Sequence, residues 1–159
     1  MKQININISI ALCQLDELSA DDRELVGRAV EASRNAYAEY SHFYVGAALR
    51  LANGVVVIGA NQENAAFPSG LCAERTAVFS AQANYPDQPV DTLAIAARND
   101  NGLVEESVTP CGACRQVLLG VEERYKRPMR ILLYGKHGVY IIKTVKDLMP
   151  LSFVDSSMK

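Results

Sequence analysis

The sequence predicts an α/β fold in which helices pack on a single mixed β-sheet. Strand-like and helix-like segments alternate in the order strand, helix, hairpin, helix, strand, helix, strand, strand. The 159 residues contain no internal repeat, low-complexity tract or linker, and 49% of them are hydrophobic. A chain of this length can bury a substantial core, so residues 1–159 are expected to form one domain, with residues 1–20 as an N-terminal extension.

The first two predicted elements are a strand and a helix. Residues 3–13 alternate polar and apolar side chains and are rich in isoleucine, which predicts a strand. Ser19 followed by Asp21 and Asp22 is typical of a helix N-terminus, and this helix is expected to run to about Tyr37.

A β-hairpin is predicted next. Residues 43–51 and 55–59 are apolar runs separated by a turn that contains Asn53 and Gly54, and Asn-Gly is a strong hairpin signal. The later elements are a helix at 72–83, a strand at 92–97, a helix at 111–123, strands at 131–134 and 139–142, and a short last helix.

Composition and charge narrow the possible functions. The net charge is −2 and no dense run of Lys and Arg occurs, so we expect a small neutral ligand rather than a nucleic acid. No apolar run approaches the roughly 20 residues of a membrane-spanning helix. The N-terminus lacks the apolar block of a signal peptide. With four cysteines, this predicts a reducing, cytoplasmic location and cysteines used for metal or redox chemistry.

Three of the four cysteines are spaced like metal ligands. Cys111 and Cys114 are three residues apart, so on a helix that begins at Pro110 both sulfurs lie on one face. Cys72 adds a third thiolate and stands two residues before Glu74. A structural zinc site is normally closed by four protein ligands, whereas a catalytic one keeps a position for water. The pattern therefore predicts a hydrolytic zinc centre.

Two other interpretations of the cysteines stay open. Cys111 and Cys114 match the C-x-x-C of a redox pair, although a thioredoxin-like site would not need Cys72 and Glu74. A small interaction domain could instead hold a structural zinc, with Cys13 as the fourth ligand. Cys13 otherwise lies in an apolar run and is expected to be a small buried side chain.

The residues beside the cysteines predict how a zinc centre would work. A carboxylate next to a metal-bound water can take its proton and pass it to a leaving group, which is the role expected of Glu74. Three thiolates give the zinc unit a net negative charge, so nearby cations are needed to withdraw charge from the sulfurs. Arg75 and Arg115 each directly follow a motif residue, and Arg75 is the better candidate.

Four stretches of the sequence form a characteristic set. They are residues 40–49 (YSHFYVGAAL), 61–65 (NQENA), 72–77 (CAERTA) and 110–116 (PCGACRQ). In this order they resemble the cytidine deaminase family, in its small homotetrameric form with three cysteine ligands. The similarity runs from about residue 38 to residue 153, and the combination is far more specific than the C-x-x-C alone.

The resemblance implies a three-layer α/β/α sandwich with a central mixed sheet of about five strands. It implies one Zn²⁺ per chain, held by Cys72, Cys111 and Cys114, and self-association as a homotetramer. The implied reaction is hydrolytic deamination of cytidine and 2′-deoxycytidine to uridine and 2′-deoxyuridine, with release of ammonia, as in pyrimidine salvage. Glu74 would transfer protons between the water, the ring N3 and the departing amine.

The resemblance also implies substrate contacts. Asn61 and Glu63 are two apart on an extended segment, so both can point to one side, and they would bind the ribose. Phe43 would flank the base, and Ala73 is assigned to the same pocket. A carboxylate at position 63 would disfavour a nearby 5′-phosphate, which favours nucleosides over nucleotides.

Other positions refine or depart from the family pattern. Phe67 and Phe153 match positions that reach the site of a neighbouring subunit. Residues 66–69 differ from the commoner sequence before the first motif cysteine, and the role of the N-terminal extension is open. His42 and His137 fall in no ligand motif. The resemblance implies a histidine in place of Cys72 in deaminases acting on adenine in RNA or on nucleotides, so the cysteine there argues against those branches. A deaminase of a cytosine nucleoside antibiotic such as blasticidin S is the nearby alternative.

Overall fold

A computed structural model describes all residues from 1 to 159 and contains seven strands and three α-helices. The strands are β1 (Ala11–Cys13), β2 (Tyr44–Leu51), β3 (Val56–Ala60), β4 (Val90–Asn99), β5 (Gly102–Leu103), β6 (Arg130–Gly135) and β7 (Gly138–Ile142). The helices are α1 (Ala20–Ala32), α2 (Ala73–Asn84) and α3 (Gly112–Tyr125). Short 3₁₀ turns include Val145–Leu148 and Asp155–Met158, where a short last helix was predicted.

All seven strands belong to one mixed sheet. Its order is β1-β7-β6-β4-β2-β3, and β5 pairs with the end of β4. β4 and β6 run parallel, joined by a crossover that contains α3, whereas the other neighbouring strands are antiparallel. The count exceeds the expected five because β1 adds an edge strand and the two-residue β5 pairs briefly.

Helices cover both faces of the sheet, which confirms the three-layer α/β/α prediction. Alternate residues of β4 define the two faces: Leu93 and Ile95 belong to the core with α2 and α3, whereas Ala94 and Ala96 belong to the core with α1. This alternation follows from the two-residue period of a strand. Because both faces are buried, the central strands read as nearly continuous apolar runs.

The predicted hairpin is present between β2 and β3. Gly54 adopts a positive φ of 86°, which suits glycine because it has no Cβ. The Asn53 side chain accepts a hydrogen bond from the Val55 amide at 3.1 Å. The two strands pair antiparallel, with Ala48 opposite Ile58.

Two predicted elements are shorter than expected. The strand predicted over residues 3–13 pairs only from Ala11 to Cys13, because β7, its partner, ends at Ile142. The helix predicted to about Tyr37 ends as α1 at Ala32 and continues as one 3₁₀ turn. The Tyr37 amide instead donates to the Asn61 carbonyl at 3.0 Å, so the backbone has already become extended there.

A buried carboxylate fixes the far end of α3. Glu122 accepts backbone N–H groups from Met129 at 2.9 Å and Val145 at 2.8 Å, and it accepts the Thr144 hydroxyl. Its side chain therefore joins α3 to the segment before β6 and to the segment after β7. None of the helices has the length and apolarity needed to cross a membrane.

Close packing against β3 fixes the start of α2. A Cβ on Gly59 would overlap the Ala73 carbonyl and the Ala77 amide, both backbone groups of α2. Only glycine allows a helix and a strand to approach this closely. The first turn of α2 is therefore held directly on the sheet.

Candidate metal centre and active site

Three thiols converge where α2 and α3 begin. Cys72 immediately precedes α2, Cys111 immediately precedes α3, and Cys114 lies in the first turn of α3. Their sulfur atoms all lie within 4.8 Å of one another. The fold brings them together because α2 and α3 pack on the same face of the sheet and precede β4 and β6, which run parallel, so both helices begin at the same end of these strands.

The donor set fits a zinc ion. Tetrahedral zinc with Zn–S bonds of about 2.3 Å separates two thiolate sulfurs by roughly 3.8 Å. The Sγ atoms of Cys72 and Cys111 are 3.8 Å apart, and all four cysteines are free of disulfides. Soft thiolate ligands suit zinc better than magnesium or calcium.

Cys13 is not a member of this cluster. It lies in β1 at the sheet edge, where it pairs with Val139, and it packs with the core on the α1 face. The thiol cluster lies on the opposite face, with α2 and α3. The structure therefore contradicts the alternative in which Cys13 completes a structural zinc site. Cys13 is also half-buried rather than buried, because β1 is an edge strand.

Hydrogen bonds lower the pKa of the Cys72 thiol. The hydrogen bond with the Cys114 thiol lowers this pKa most, and the Arg75 guanidinium lowers it further, with Nη2 3.5 Å from Cys72 Sγ. Burial raises the pKa of Cys72, but the hydrogen bonds outweigh it and lower the pKa to about 5. The same hydrogen bond, burial and the charge of Glu74 raise the pKa of Cys114. A thiolate is therefore favoured at Cys72 before any metal binds.

Arg115, the other arginine considered for a thiolate contact, points elsewhere. Its Nε donates to the Pro110 carbonyl at 2.8 Å, and its Nη1 donates to the Leu148 carbonyl at 2.8 Å. A third contact joins Nη2 to the Thr109 hydroxyl at 3.3 Å. Arg115 thus ties the loop that carries Cys111 to the C-terminal segment.

Glu74 lies in the first turn of α2 and is only 5% exposed. Burial is the main cause that raises the pKa of its carboxyl group, and the negative charge of Cys72 raises it further. A buried carboxyl group with a raised pKa holds and releases a proton closer to neutral pH. Ala73, the residue between Cys72 and Glu74, is completely buried.

The side chains of Asn61 and Glu63 both form hydrogen bonds with the backbone of residues 40–45, which lead into β2. The Asn61 amide accepts from the Val45 N–H at 2.8 Å and donates to the Phe43 carbonyl at 2.9 Å. One Glu63 oxygen accepts from the amide groups of Tyr40 and Ser41, at 2.9 and 3.2 Å. Hydrogen bonds from Ser41 and Tyr40 lower the pKa of Glu63, so it is held as a carboxylate.

A cavity of about 380 Å³ opens between these residues and the loop before α2. It is lined by Tyr40, Ser41, Glu63, Asn64, Phe67 and Gly70. Phe67 and Gly70 belong to the loop that leads to Leu71 and Cys72. The volume lies within the range of small-molecule sites. The rings of Tyr40 and Phe67 meet edge to face, with centroids 5.2 Å apart.

The three aromatic candidates differ in exposure. Phe67 is 71% exposed and Phe153 is 59% exposed, whereas Phe43 is half-buried immediately before β2. The Gln116 side chain donates to the Phe153 carbonyl at 3.0 Å, so the first two turns of α3 hold the C-terminal segment.

Sequence reasoning missed Gly59 and the contacts of Arg115. Gly59 had a usable signal, because a glycine at the end of a predicted strand indicates close backbone approach. Arg115 had none, because two of its three acceptors are backbone carbonyls, and one of these, Leu148, lies 33 residues away in the chain.

The fold and the site together define the class of protein. An α/β/α domain with three clustered thiols at the starts of two helices, and a buried glutamate beside them, is typical of zinc-dependent deaminases. A family model for the cytidine and deoxycytidylate deaminase zinc-binding region matches residues 19–126. The chain therefore belongs to the cytidine and deoxycytidylate deaminase family, and the resemblance seen in the sequence is confirmed.

Individual relatives agree with this assignment. A cytidine deaminase from Halalkalibacterium halodurans is 39% identical over 138 residues, which cover 87% of this chain and 98% of that protein. A blasticidin-S deaminase from Bacillus cereus is 29% identical over 86% of this chain and 94% of that protein. The crystal structure of cytidine deaminase from Burkholderia pseudomallei matches with a TM-score of 0.70 and 36% identity, over 82% of this chain and 97% of that chain.

Proposed function

We propose that this protein catalyses the zinc-dependent hydrolytic deamination of cytidine and 2′-deoxycytidine to the corresponding uridines, with release of ammonia. The observation that carries the proposal is the position of Glu74, a buried carboxyl group that interacts with Cys72 and Cys114, two of the three clustered thiols. The similarity to cytidine deaminases over most of the chain supports the choice of substrate.

Cys72, Cys111 and Cys114 would hold the zinc ion. When bound, zinc would act as a Lewis acid that lowers the pKa of a coordinated water toward about 7. Arg75 withdraws charge from the Cys72 sulfur through its hydrogen bond, which offsets part of the negative charge of three thiolates.

Glu74 is the proton carrier in this proposal. Its carboxylate accepts a proton from the attacking water and delivers it to the ring N3, as the water oxygen bonds to C4 of the base. The second proton of the water, from the hydroxyl group then on C4, passes through the same carboxyl group to the amine, which leaves as ammonia when the C4–N bond breaks. Burial suits Glu74 to this exchange, because it brings the pKa of the carboxyl group nearer to that of its proton partners.

The remaining candidates orient the substrate. Asn61 fixes the backbone on both sides of Tyr44, and so sets the direction of Phe43 against the base. Its amide and the Glu63 carboxylate are also available to ribose hydroxyls, because each retains unused hydrogen-bonding capacity. The negative charge of Glu63 favours a nucleoside over a 5′-phosphorylated substrate.

A homotetramer is the proposed assembly. The exposed rings of Phe67 and Phe153 support it, because large exposed aromatic side chains are enriched at protein interfaces. In the assembly each ring would reach the site of a neighbouring subunit. A role in pyrimidine salvage and a cytoplasmic location stay predictions.

The decisive experiment measures loss of cytidine absorbance by purified protein, with and without a chelator, together with a zinc count per chain. We expect turnover that is lost with the metal and restored by added zinc. A parallel assay with blasticidin S separates the two deaminase alternatives. Turnover of blasticidin S without turnover of cytidine would contradict the proposed substrate.

A further inference from the structure

Residues 3–12 carry a regular alternation that the rest of the fold does not use. Every even position from 4 to 12 is isoleucine or leucine, and these five side chains are 39–79% exposed. The odd positions are glutamine, asparagine, serine or alanine. In a strand this pattern places all five aliphatic side chains on one face. The segment therefore has the sequence pattern of an amphipathic strand, and its aliphatic side chains are exposed.

Only Ala11 and Leu12 of this segment pair within the chain, with β7, and the backbone of the residues before them has no partner. In β1, Ala11 lies opposite Ile141, so the register places Ile10 opposite Ile142, where β7 ends. Earlier residues run past the end of β7, and β1 is itself an edge strand. No backbone hydrogen bond outside the helices and strands involves residues 1–10. The N–H and C=O groups of about nine consecutive residues are thus available to another strand.

The segment also lacks the features that protect natural edge strands. Such strands usually carry inward-pointing charges, prolines or bulges that prevent pairing with another chain. Residues 3–12 contain no charged residue and no proline. An unprotected edge with strict alternation favours pairing with a strand of similar pattern.

We propose that residues 3–12 pair across a two-fold axis with the same residues of a second copy of this chain, as two antiparallel strands. The alternation is self-complementary, because an axis at Asn7 keeps aliphatic side chains opposite aliphatic side chains. The resulting pairs are Ile4 with Ile10 and Ile6 with Ile8 on one face, and Asn5 with Ser9 and Asn7 with its symmetry mate on the other.

Charge supports a second copy as the partner. Lys2 is the only charged side chain among residues 1–15, and this register places it opposite Leu12. The two Lys2 side chains then lie at opposite ends of the paired ribbon, about 33 Å apart at 3.3 Å per residue. A strongly acidic or basic partner would find no complementary charge in this segment.

Symmetry supports the same partner. Two-fold pairing always closes into a dimer, whereas head-to-tail addition of the segment to another sheet edge closes only when the rotation between copies generates a ring. Ten residues on each side are fewer than the roughly 20–30 of a standard interface, so the paired strands add to contacts between the domains themselves. This pairing is independent of the proposed catalytic activity.

Site-specific cross-linking tests the pairing. Single cysteines are introduced as Asn5→Cys, Asn7→Cys or Ser9→Cys in the zinc-loaded full chain carrying Cys13→Ser, and each protein is mildly oxidised. Cα atoms opposite each other in antiparallel strands are about 4.5–5.5 Å apart, which permits a disulfide. Symmetry mates of position 5 or 9 would be separated by four residues, about 13 Å.

We expect disulfide-linked dimers to form at least tenfold faster at position 7 than at positions 5 and 9, measured on non-reducing gels. Equal rates at the three positions, no cross-linking at all, or a faster rate at position 5 or 9 would each overturn the proposal. Cytidine turnover and zinc content are measured on the same samples, so failure of the pairing is distinguished from failure of the proposed activity.

Variants of the two faces provide a second test. In the Asn7→Cys protein, Ile6→Asn with Ile8→Asn removes the centre of the apolar face, and we expect cross-linking to slow at least tenfold. The control, Asn5→Ser with Ser9→Asn, exchanges two residues of the polar face and should leave the rate unchanged. Equal rates in these two variants would contradict an apolar contact between the paired strands.

Discussion

Replacing Glu122 by glutamine should destabilise the protein by a calculable amount. Glu122 Oε2 accepts the buried amides of Met129 and Val145, and Oε1 accepts the Thr144 hydroxyl. A glutamine whose oxygen occupies the Oε2 position keeps both backbone bonds but loses the charge. Hydrogen bonds to charged groups contribute about 1.5–3 kcal/mol, against about 0.5–1.5 kcal/mol for neutral ones. The expected loss is therefore about 1 kcal/mol per bond, or about 2 kcal/mol in total.

Alanine at position 122 should be worse. It leaves two buried amide groups without an acceptor, and each unsatisfied group costs about 1–3 kcal/mol. We expect a loss of about 4 kcal/mol, which is large beside a typical folding stability of about 5–15 kcal/mol.

Urea unfolding followed by far-UV circular dichroism measures both effects, on zinc-loaded protein at fixed protein and metal concentrations. The matched control is Glu123→Ala. Glu123 is the neighbouring residue and pairs with Lys146 on the surface at 2.6 Å. An exposed ion pair contributes at most about 1 kcal/mol. If Glu122→Ala lost no more stability than Glu123→Ala, the reasoning about the buried carboxylate would be refuted.

Three further predictions concern the metal centre and its support. Arg115→Gln should lower zinc affinity about tenfold, since groups that position metal ligands typically contribute 10–100-fold. Competition with a zinc indicator measures this affinity, which should recover partly in Arg115→Lys. Gly59→Ala should destabilise the fold by about 1–3 kcal/mol in urea unfolding, because the added Cβ overlaps backbone of α2. Gly27→Ala, a control in α1 with open space around the added Cβ, should stabilise by about 0.5–1 kcal/mol. Cys13→Ala should retain one zinc per chain, and loss of zinc from that variant would return Cys13 to the ligand set.

Much of the fold was predictable because its signals are local. Asn53 and Gly54 specify a hairpin turn, and the observed φ of Gly54 is the conformation that such a turn requires. The continuous apolar run within residues 92–97 predicts a buried strand, and helices cover both of its faces. The three cysteines were also predictable as a group, because the order of four motifs resembles one family.

Other features depend on partners that are distant in the sequence. The alternation of residues 3–13 predicts a strand, but only the position of β7 determines that pairing begins at Ala11. Glu122 looks like a surface residue of a helix, and its burial depends on amides of the segments before β6 and after β7. Arg75 and Arg115 each directly follow a motif residue, so the sequence alone does not distinguish them. Tertiary packing directs Arg75 to the Cys72 sulfur and Arg115 to the Leu148 carbonyl.

We propose that Glu74 transfers the protons of a zinc-dependent cytidine deamination. The most direct test compares cytidine turnover by the wild-type protein and by Glu74→Gln, with zinc counted in both. We expect one zinc per chain in each protein and a loss of turnover of ~10²–10⁴-fold in the variant, the usual contribution of a positioned acid–base group. Turnover within tenfold of wild type, in a variant that retains its zinc, would contradict this role of Glu74.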